Sequence, residues 1–208
     1  MIPALLLAAS AISLPHFNQA GLQEYVFKTF DFYKLSPKDR SLGVTANLWI
    51  EPHGRIIGCW IGRSVGNEEA VKGLCRIMLG MYANPGRDAQ GHRAYGFVAM
   101  TFLIPDGSTE QEARQFAEAF FIKPNSTDPE GILPFADPRL SAQSHYRLNL
   151  LVSTDGSVAD CSMDPNMPDE LADKACALAR AKDFAVRRAS GKAVPYVRSV
   201  ALVPNGLK

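Results

Sequence analysis

The chain has 208 residues, 47% of them hydrophobic and 21% charged, which suffices for a buried core and speaks against disorder. Its 22 Lys and Arg are balanced by 21 Asp and Glu, leaving a formal charge of +1. That argues against the uncompensated basic surface with which proteins track phosphates, so no DNA or RNA partner is expected.

The first fourteen residues, MIPALLLAASAISL, carry no charge. The run is too short to cross a bilayer as a helix, which takes about 20 residues. It matches the apolar region of an export signal instead, with Ala9, Ala11 and Ser13 as small residues at which a leader could be cut. No Lys or Arg precedes the run. Either the positive end is the chain's own amino group, or a longer membrane anchor stands upstream; a buried helix of a cytosolic protein is the competing reading. Gln23 to Arg40 then holds five aromatics among polar residues and reads as a strand or short helix packed on the unit after it.

The next segment, Asn47 to Cys59 (NLWIEPHGRIIGC), places Gly54 between two apolar runs, five residues before a cysteine. This is hairpin patterning. Glu68 to Leu79 comes next as a helix with Asn67 as its cap, acids in the first turn, and Val71, Leu74, Cys75, Met78 and, beyond it, Tyr82 recurring on one apolar face. A turn at Gly91 and a strand from Tyr95 to Ile104 close the unit. Ser108 to Phe121 has Thr109 and Glu112 in capping-box register and predicts an amphipathic helix burying Phe116, Ala117, Phe120 and Phe121. Lys123 to Leu140, rich in Pro, Asp, Asn and Gly, reads as a linker.

The pattern then recurs. Leu151 to Cys161 (LVSTDGSVADC) has an Asp-Gly turn between apolar runs, with Gly156 again five residues before a cysteine. Strands are predicted over Arg147–Ser153 and Ser157–Cys161, then a helix opened by Pro168 with Leu171, Ala172, Ala175, Cys176 and Ala179 on one face. A turn at Gly191 and a strand from Val194 to Val203 end the chain. The fold class is therefore α+β: two tandem ββαβ units, each a small antiparallel sheet covered by a helix. The divisions fall at 1–14 (signal-like segment), 22–107 (first unit with an N-terminal extension), 108–143 (helix and linker) and 144–208 (second unit).

Four cysteines allow three pairings, and the repeat favours the two within units, Cys59 with Cys75 and Cys161 with Cys176. Each bridge would close a loop of about fifteen residues and stabilise by about 3 kcal/mol in the chain-entropy model. Disulfides imply an oxidising compartment; four buried thiols in a cytosolic protein are the alternative. There is no Cys-x-x-Cys for redox chemistry, and the four histidines have no zinc-ligand spacing to the cysteines, so neither a metal nor a cofactor is expected. Asp160, Asp164, Asp169 and Asp173 cluster near the second helix, but acids in a first turn are expected from the helix dipole alone, and no nucleophile or base accompanies them. The chain does not read as an enzyme. Trp49 and Trp60 lie in predicted strands and read as core.

The second unit resembles the C-terminal domain of TonB-family energy transducers, in the branch with Asp-Cys after the first hairpin and a cysteine on the helix. Asp155, Gly156, Val158, Asp160, Cys161, Leu171, Asp173, Cys176, Phe184 and Gly191 stand on that pattern, although Phe184 is followed by Ala185 and Val186 instead of the family's Phe-x-Pro-Ala. In the first unit NPGRDAQG, Asn84 to Gly91, is similar to the family's proline and Arg-Asp-Ala-x-Gly turn but lacks the phenylalanine. The resemblance implies periplasmic residence and a non-catalytic role, linked to outer-membrane transport, in which an extended peptide or protein segment adds to the last strand. Val194, Tyr196, Arg198 and Val200 are then the expected contact strand. A full transmembrane helix and a long Pro-rich spacer are not in this sequence. The alternative is an inner-membrane-anchored transducer whose anchor lies outside the 208 residues.

Overall fold

The computed structural model describes residues 12–18, 24–25, 28–29, 42–66, 68–104, 111, 128–137, 146–163 and 167–204. Of the expected helix over 108–121 only Gln111 is described, and it is helical; the cap at Asn67 and Asp164 lie outside the described residues; of Gln23 to Arg40 only Glu24, Tyr25, Lys28 and Thr29 are described, and they too are helical. Tyr82, expected on the apolar face of the first helix, lies past the helix end and is exposed.

The fold is α+β. Strands β1 (Leu42–Ile50) and β2 (Ile56–Gly66) form a hairpin, helix α1 (Glu68–Met78) comes after it, and short β3 (Gly86–Arg87) leads into β4 (Arg93–Ile104). A 3-10 turn (Pro129–Gly131) and β5 (Ile132–Phe135) precede the second hairpin, β6 (Arg147–Val152) and β7 (Val158–Met163). Helix α2 (Asp169–Arg180), the short strands β8 (Arg188–Ala189) and β9 (Lys192–Ala193), and β10 (Tyr196–Pro204) complete the chain.

The two hairpins turn in the same way. Glu51 donates its N–H to Arg55 O and Gly54 donates to Glu51 O; Ser153 donates to Ser157 O and Gly156 to Ser153 O. Gly54 and Gly156 both have φ +93°, a conformation that disfavours any side chain. Both also carry a later loop against them: the Ala83 N–H donates to Gly54 O at 2.8 Å and the Phe184 N–H to Gly156 O at 2.9 Å. A Cβ at either glycine would run into the carbonyl oxygen of that same loop residue. Gly156→Ala should therefore cost about 1–3 kcal/mol, from positive-φ strain and displacement of the loop. Urea denaturation would check this, and a loss below about 0.5 kcal/mol would show that the loop is not held there.

The packing of the two units on each other, which the sequence leaves open, is that of one mixed sheet, in the order β2-β1-β4-β10-β6-β7, with β3 beside β4 and β5 beside β10. The junction is parallel: Tyr95, Gly96 and Phe97 of β4 stand opposite Tyr196, Val197 and Arg198 of β10. Helix α1 packs with the even residues of β1 (Leu42, Val44, Leu48, Ile50), whereas α2 packs with Leu148, Leu150, Tyr196 and Val200 and with Trp49 and Phe97 of the first half. Neighbouring residues alternate faces along a strand. The two helices thus lie on opposite faces, and the two halves are related by a rotation about an axis running along the strands. The sheet merges because α2's apolar cluster is completed by Trp49, Phe97 and Tyr95, which the first half supplies.

Two further differences come from this merger. The segment read as linker contributes β5, whose Leu133 and Phe135 are buried against β10. The end of the segment read as a leader is integral as well. Residues 12–17 form a strap over the junction, with Ile12 buried, Ser13 bridged to Arg87 and His16 bridged to Asn84.

Candidate functional site

The strand expected to be a free binding edge, β10, lies inside the sheet. On one side it pairs with β6 from Tyr196 to Ala201; on the other it pairs with β4 at Tyr196–Arg198 and with β5 at Ala201–Pro204. At Tyr196–Arg198 and at Ala201 β10 thus has a strand neighbour on each side, so the strand addition expected at Val194, Tyr196, Arg198 and Val200 would find no free edge at those doubly paired positions. Val194 precedes β10, is partly buried on the main cluster, and donates its N–H to Arg187 O.

Arg198 and Tyr196 hold the junction together instead. The Arg198 side chain is fully buried. One guanidinium nitrogen donates to both carboxylate oxygens of Asp128 at 2.9 Å, and the other donates to Glu130 Oε2 at 2.6 Å. The remaining oxygen of Glu130 accepts the Ala185 N–H at 3.0 Å. The guanidinium also lies 5.4 Å from the Phe97 ring centre and 5.1 Å from that of Phe184, within cation–π range. A buried charge is tolerable only when paired and hydrogen-bonded, and both acids come from the 3-10 turn region before β5. The Tyr196 hydroxyl donates to Ala185 O at 2.9 Å, and its ring meets Trp49 edge-on while Trp49 stacks on Tyr95. Burial pushes the Tyr196 phenol above its ordinary value, with the Arg198 charge pulling the other way. The phenol therefore stays a donor throughout the neutral range.

Trp49 is core, as read from the sequence. Trp60, expected to be core too, is 48% exposed. It sits beside Phe97, and the Arg187 guanidinium lies 4.1 Å from the Phe97 ring centre and 5.9 Å from that of Trp60. The acids near α2 have local roles: Asp160 Oδ1 accepts the Cys161 N–H, and Asp169 stands with Glu170 in the helix's first turn. Both expected disulfides are formed, Cys59–Cys75 and Cys161–Cys176, leaving no free cysteine. They fit an oxidising, exported environment. Among the described residues no cluster of three His, Cys, Asp or Glu could hold a metal ion, and no helix is long and apolar enough to cross a membrane.

An edge that the sequence did not reveal lies elsewhere. β4 pairs with β1 continuously from Gly96 to Ile104, but with β10 only as far as Phe97. From Val98 onward, the side of β4 turned away from β1 has no strand partner among the described residues. It borders a cleft of about 630 Å³ between β4, β10 and the start of β5. Val98, Ala99 and Met100 form one wall, Ser199 and Ala201 the other, and the strap residues Leu14 to Phe17 close one face. Arg147 stands at the rim, while Ser199 Oγ is buried with no hydrogen-bond partner among the described residues. β4 and β10 are both mainly apolar along their length, as ordinary strands are, so only the splaying of the two strands, a tertiary event, discloses the cleft.

The chain matches no known protein-family profile, no curated protein and no solved structure.

Proposed function

We propose that this protein is an exported, non-catalytic binding module that takes up an extended peptide segment of a partner protein by strand addition. The observation that carries the reading is the edge of β4 from Val98 to Ile104, which has no strand partner on the side away from β1 among the described residues and of which Val98 to Thr101 line the cleft. An unpaired strand edge offers a row of N–H and C=O groups to an incoming chain, and side-chain pockets beside it select the sequence. At about 3.3 Å per residue this edge is roughly 20 Å long, the reach of a six- or seven-residue extended segment.

The outer edges of the sheet are poorer candidates. The β1–β2 ladder is broken by register shifts at Val44/Ala46 and Trp49/Ile50, and the β6–β7 ladder by one at Leu151/Val152, whereas β4 keeps unbroken register with β1. Irregularities of this kind blunt an edge against pairing. The likeness of the second half to TonB-type C-terminal domains supports the same mode of binding, moved from the last strand to β4, and a periplasmic address with a tie to outer-membrane transport.

The test uses a phage-displayed library of random extended peptides, panned on the intact oxidised protein and on Ala99→Trp. Ala99 is exposed and lines the cleft, so the indole fills the groove while stability should change by no more than about 0.5 kcal/mol. Peptides of alternating β-branched pattern should be enriched on the native protein and lose at least tenfold in affinity on the variant. Equal retention by both, with unchanged melting, would show that the β4 edge is not the site.

A further inference from the structure

The cleft beside β4 carries an unpaired charge on one side of the sheet. Arg147 opens β6, is exposed and lines the cleft. Leu148 and Leu150 belong to the cluster that packs on α2, so Arg147 and Asn149 project from the opposite face, where Asn149 Nδ2 donates to the strap carbonyl of Ile12 at 3.3 Å. The lining on that face is otherwise uncharged or already engaged. Phe17, Val98 and Met100 pack on the first apolar cluster, and the His16 ring is bonded to Asn84 Nδ2 at 2.9 Å. Among the described residues Arg147 has no ion-pair partner. Asp128, the acid among the described residues lining the cleft, turns both carboxylate oxygens to Arg198 at 2.9 Å.

The register says where along the groove this cation stands. Arg198 faces Phe97 in the last pair of the parallel junction, and three residues further along each strand come Ala201 and Met100. Arg147 pairs with Ala201. It is therefore level with Met100, within the stretch of β4 that has no second neighbour among the described residues. The two also share a face, since the even residues of β4 lie on the strap side, where Pro15 covers Gly96. An extended segment laid beside β4 turns alternate side chains toward that face. One of them comes level with Arg147, between apolar walls where a charge is screened less than in open water and where the planar guanidinium matches a carboxylate through two parallel N–H···O bonds.

Resting on the strand-addition reading, we propose that the segment bound at the β4 edge carries an aspartate or glutamate on its strap-facing side, held by Arg147, with apolar residues two positions to either side. The acid also sets the register, because a slip of one residue would turn it to the other face of the sheet.

The test pans the displayed library on the native oxidised protein, on Arg147→Gln and on Arg147→Glu, then measures binding of C-terminally amidated synthetic copies of the enriched peptides at low and high salt. Peptides from the native protein should carry Asp or Glu at one position with apolar residues two places before and after it. Arg147→Gln should lose that preference, and Arg147→Glu should select Lys or Arg there instead. Replacing the peptide's acid by the matching amide should weaken binding to the native protein by about fivefold or more and flatten its salt dependence, while leaving binding to Arg147→Gln unchanged. The amide comparison is made on the native protein and does not depend on how a variant folds. Equal affinity of the acidic and amide peptides for the native protein, with binding still lost in Ala99→Trp, overturns the role of Arg147 and leaves the β4 edge as the site. Binding that survives Ala99→Trp, or no enrichment on the native protein, overturns both.

Discussion

Replacing Arg198 by methionine, with Asp128 and Glu130 left in place, should lower the unfolding free energy by about 3–5 kcal/mol, measured as a shift of the urea midpoint at unchanged slope. The loss does not equal the worth of the ion pairs. Bringing a guanidinium and two carboxylates out of water costs several kcal/mol per ion, and their attraction with well-placed donors and acceptors roughly offsets that. Removing only the cation leaves two carboxylates with side chains 12% and 26% exposed and no counter-charge at 2.6–2.9 Å. The discriminating variant is the triple substitution Arg198→Met, Asp128→Asn, Glu130→Gln. It removes all three charges and keeps an acceptor at residue 130 for the Ala185 N–H. If electrostatics dominates, the triple variant should recover at least half of the loss. Equal loss in both would instead assign the cost to missing packing against Phe97 and Phe184.

Arg198 also shows where reading the sequence stops. Both hairpins, both helices, the glycine turns and the closing strands were legible, because each rests on local signals: period-two or 3.6-residue alternation, glycine at positive φ, a proline before a helix. The cysteines were legible as pairs, since a strand-side cysteine and a helix-face cysteine recurred at matched spacing. In the fold the match extends to the ladders, where Cys59 stands opposite Leu48 and Cys161 opposite Leu150. The next strand breaks the match: Leu48 faces Val98, while Leu150 faces Arg198. A charged residue in a last strand reads as solvent-facing, and its burial depends on acids 70 and 68 residues away in a segment that reads as linker. No local pattern carries that information. The same holds for β10 as a whole. Whether a terminal strand is an edge depends on what the rest of the chain brings beside it, and here β4 lies beside Tyr196–Arg198 and β5 beside Ala201–Pro204. The open edge on β4 was missed for the converse reason, because a strand with one neighbour and a strand with two have the same alternation.

Reducing both disulfides should remove roughly 6 kcal/mol, about 3 from each loop in the chain-entropy model, which is comparable to the whole stability of many domains. The two contributions should be nearly additive, because the bridges lie on opposite faces and fasten different elements. Cys59–Cys75 ties β2 to α1 across a Cα separation of 5.4 Å, and Cys161–Cys176 ties β7 to α2 across 5.9 Å. Among the described residues β2 and β7 are the two outermost strands of the sheet, each hydrogen-bonded to one neighbour. Each bridge therefore fastens an outermost strand, the part of a sheet most prone to fray, to the helix covering its half. The two should still differ on substitution. Cys176 is buried in the main cluster, whereas Cys59 and Cys75 are only partly buried, so Cys161→Ala with Cys176→Ala adds a packing loss that Cys59→Ala with Cys75→Ala largely avoids. Urea titrations with and without dithiothreitol, on the native protein and each double variant, read these terms separately. Reduction should leave the native chain largely unfolded at 37 °C, and the variant lacking Cys161 and Cys176 should be less stable than the one lacking Cys59 and Cys75. If reduction shifts the midpoint by less than about 1 kcal/mol, the bridges are not what holds the outer strands, and the case for an oxidising compartment as a condition of folding falls with it.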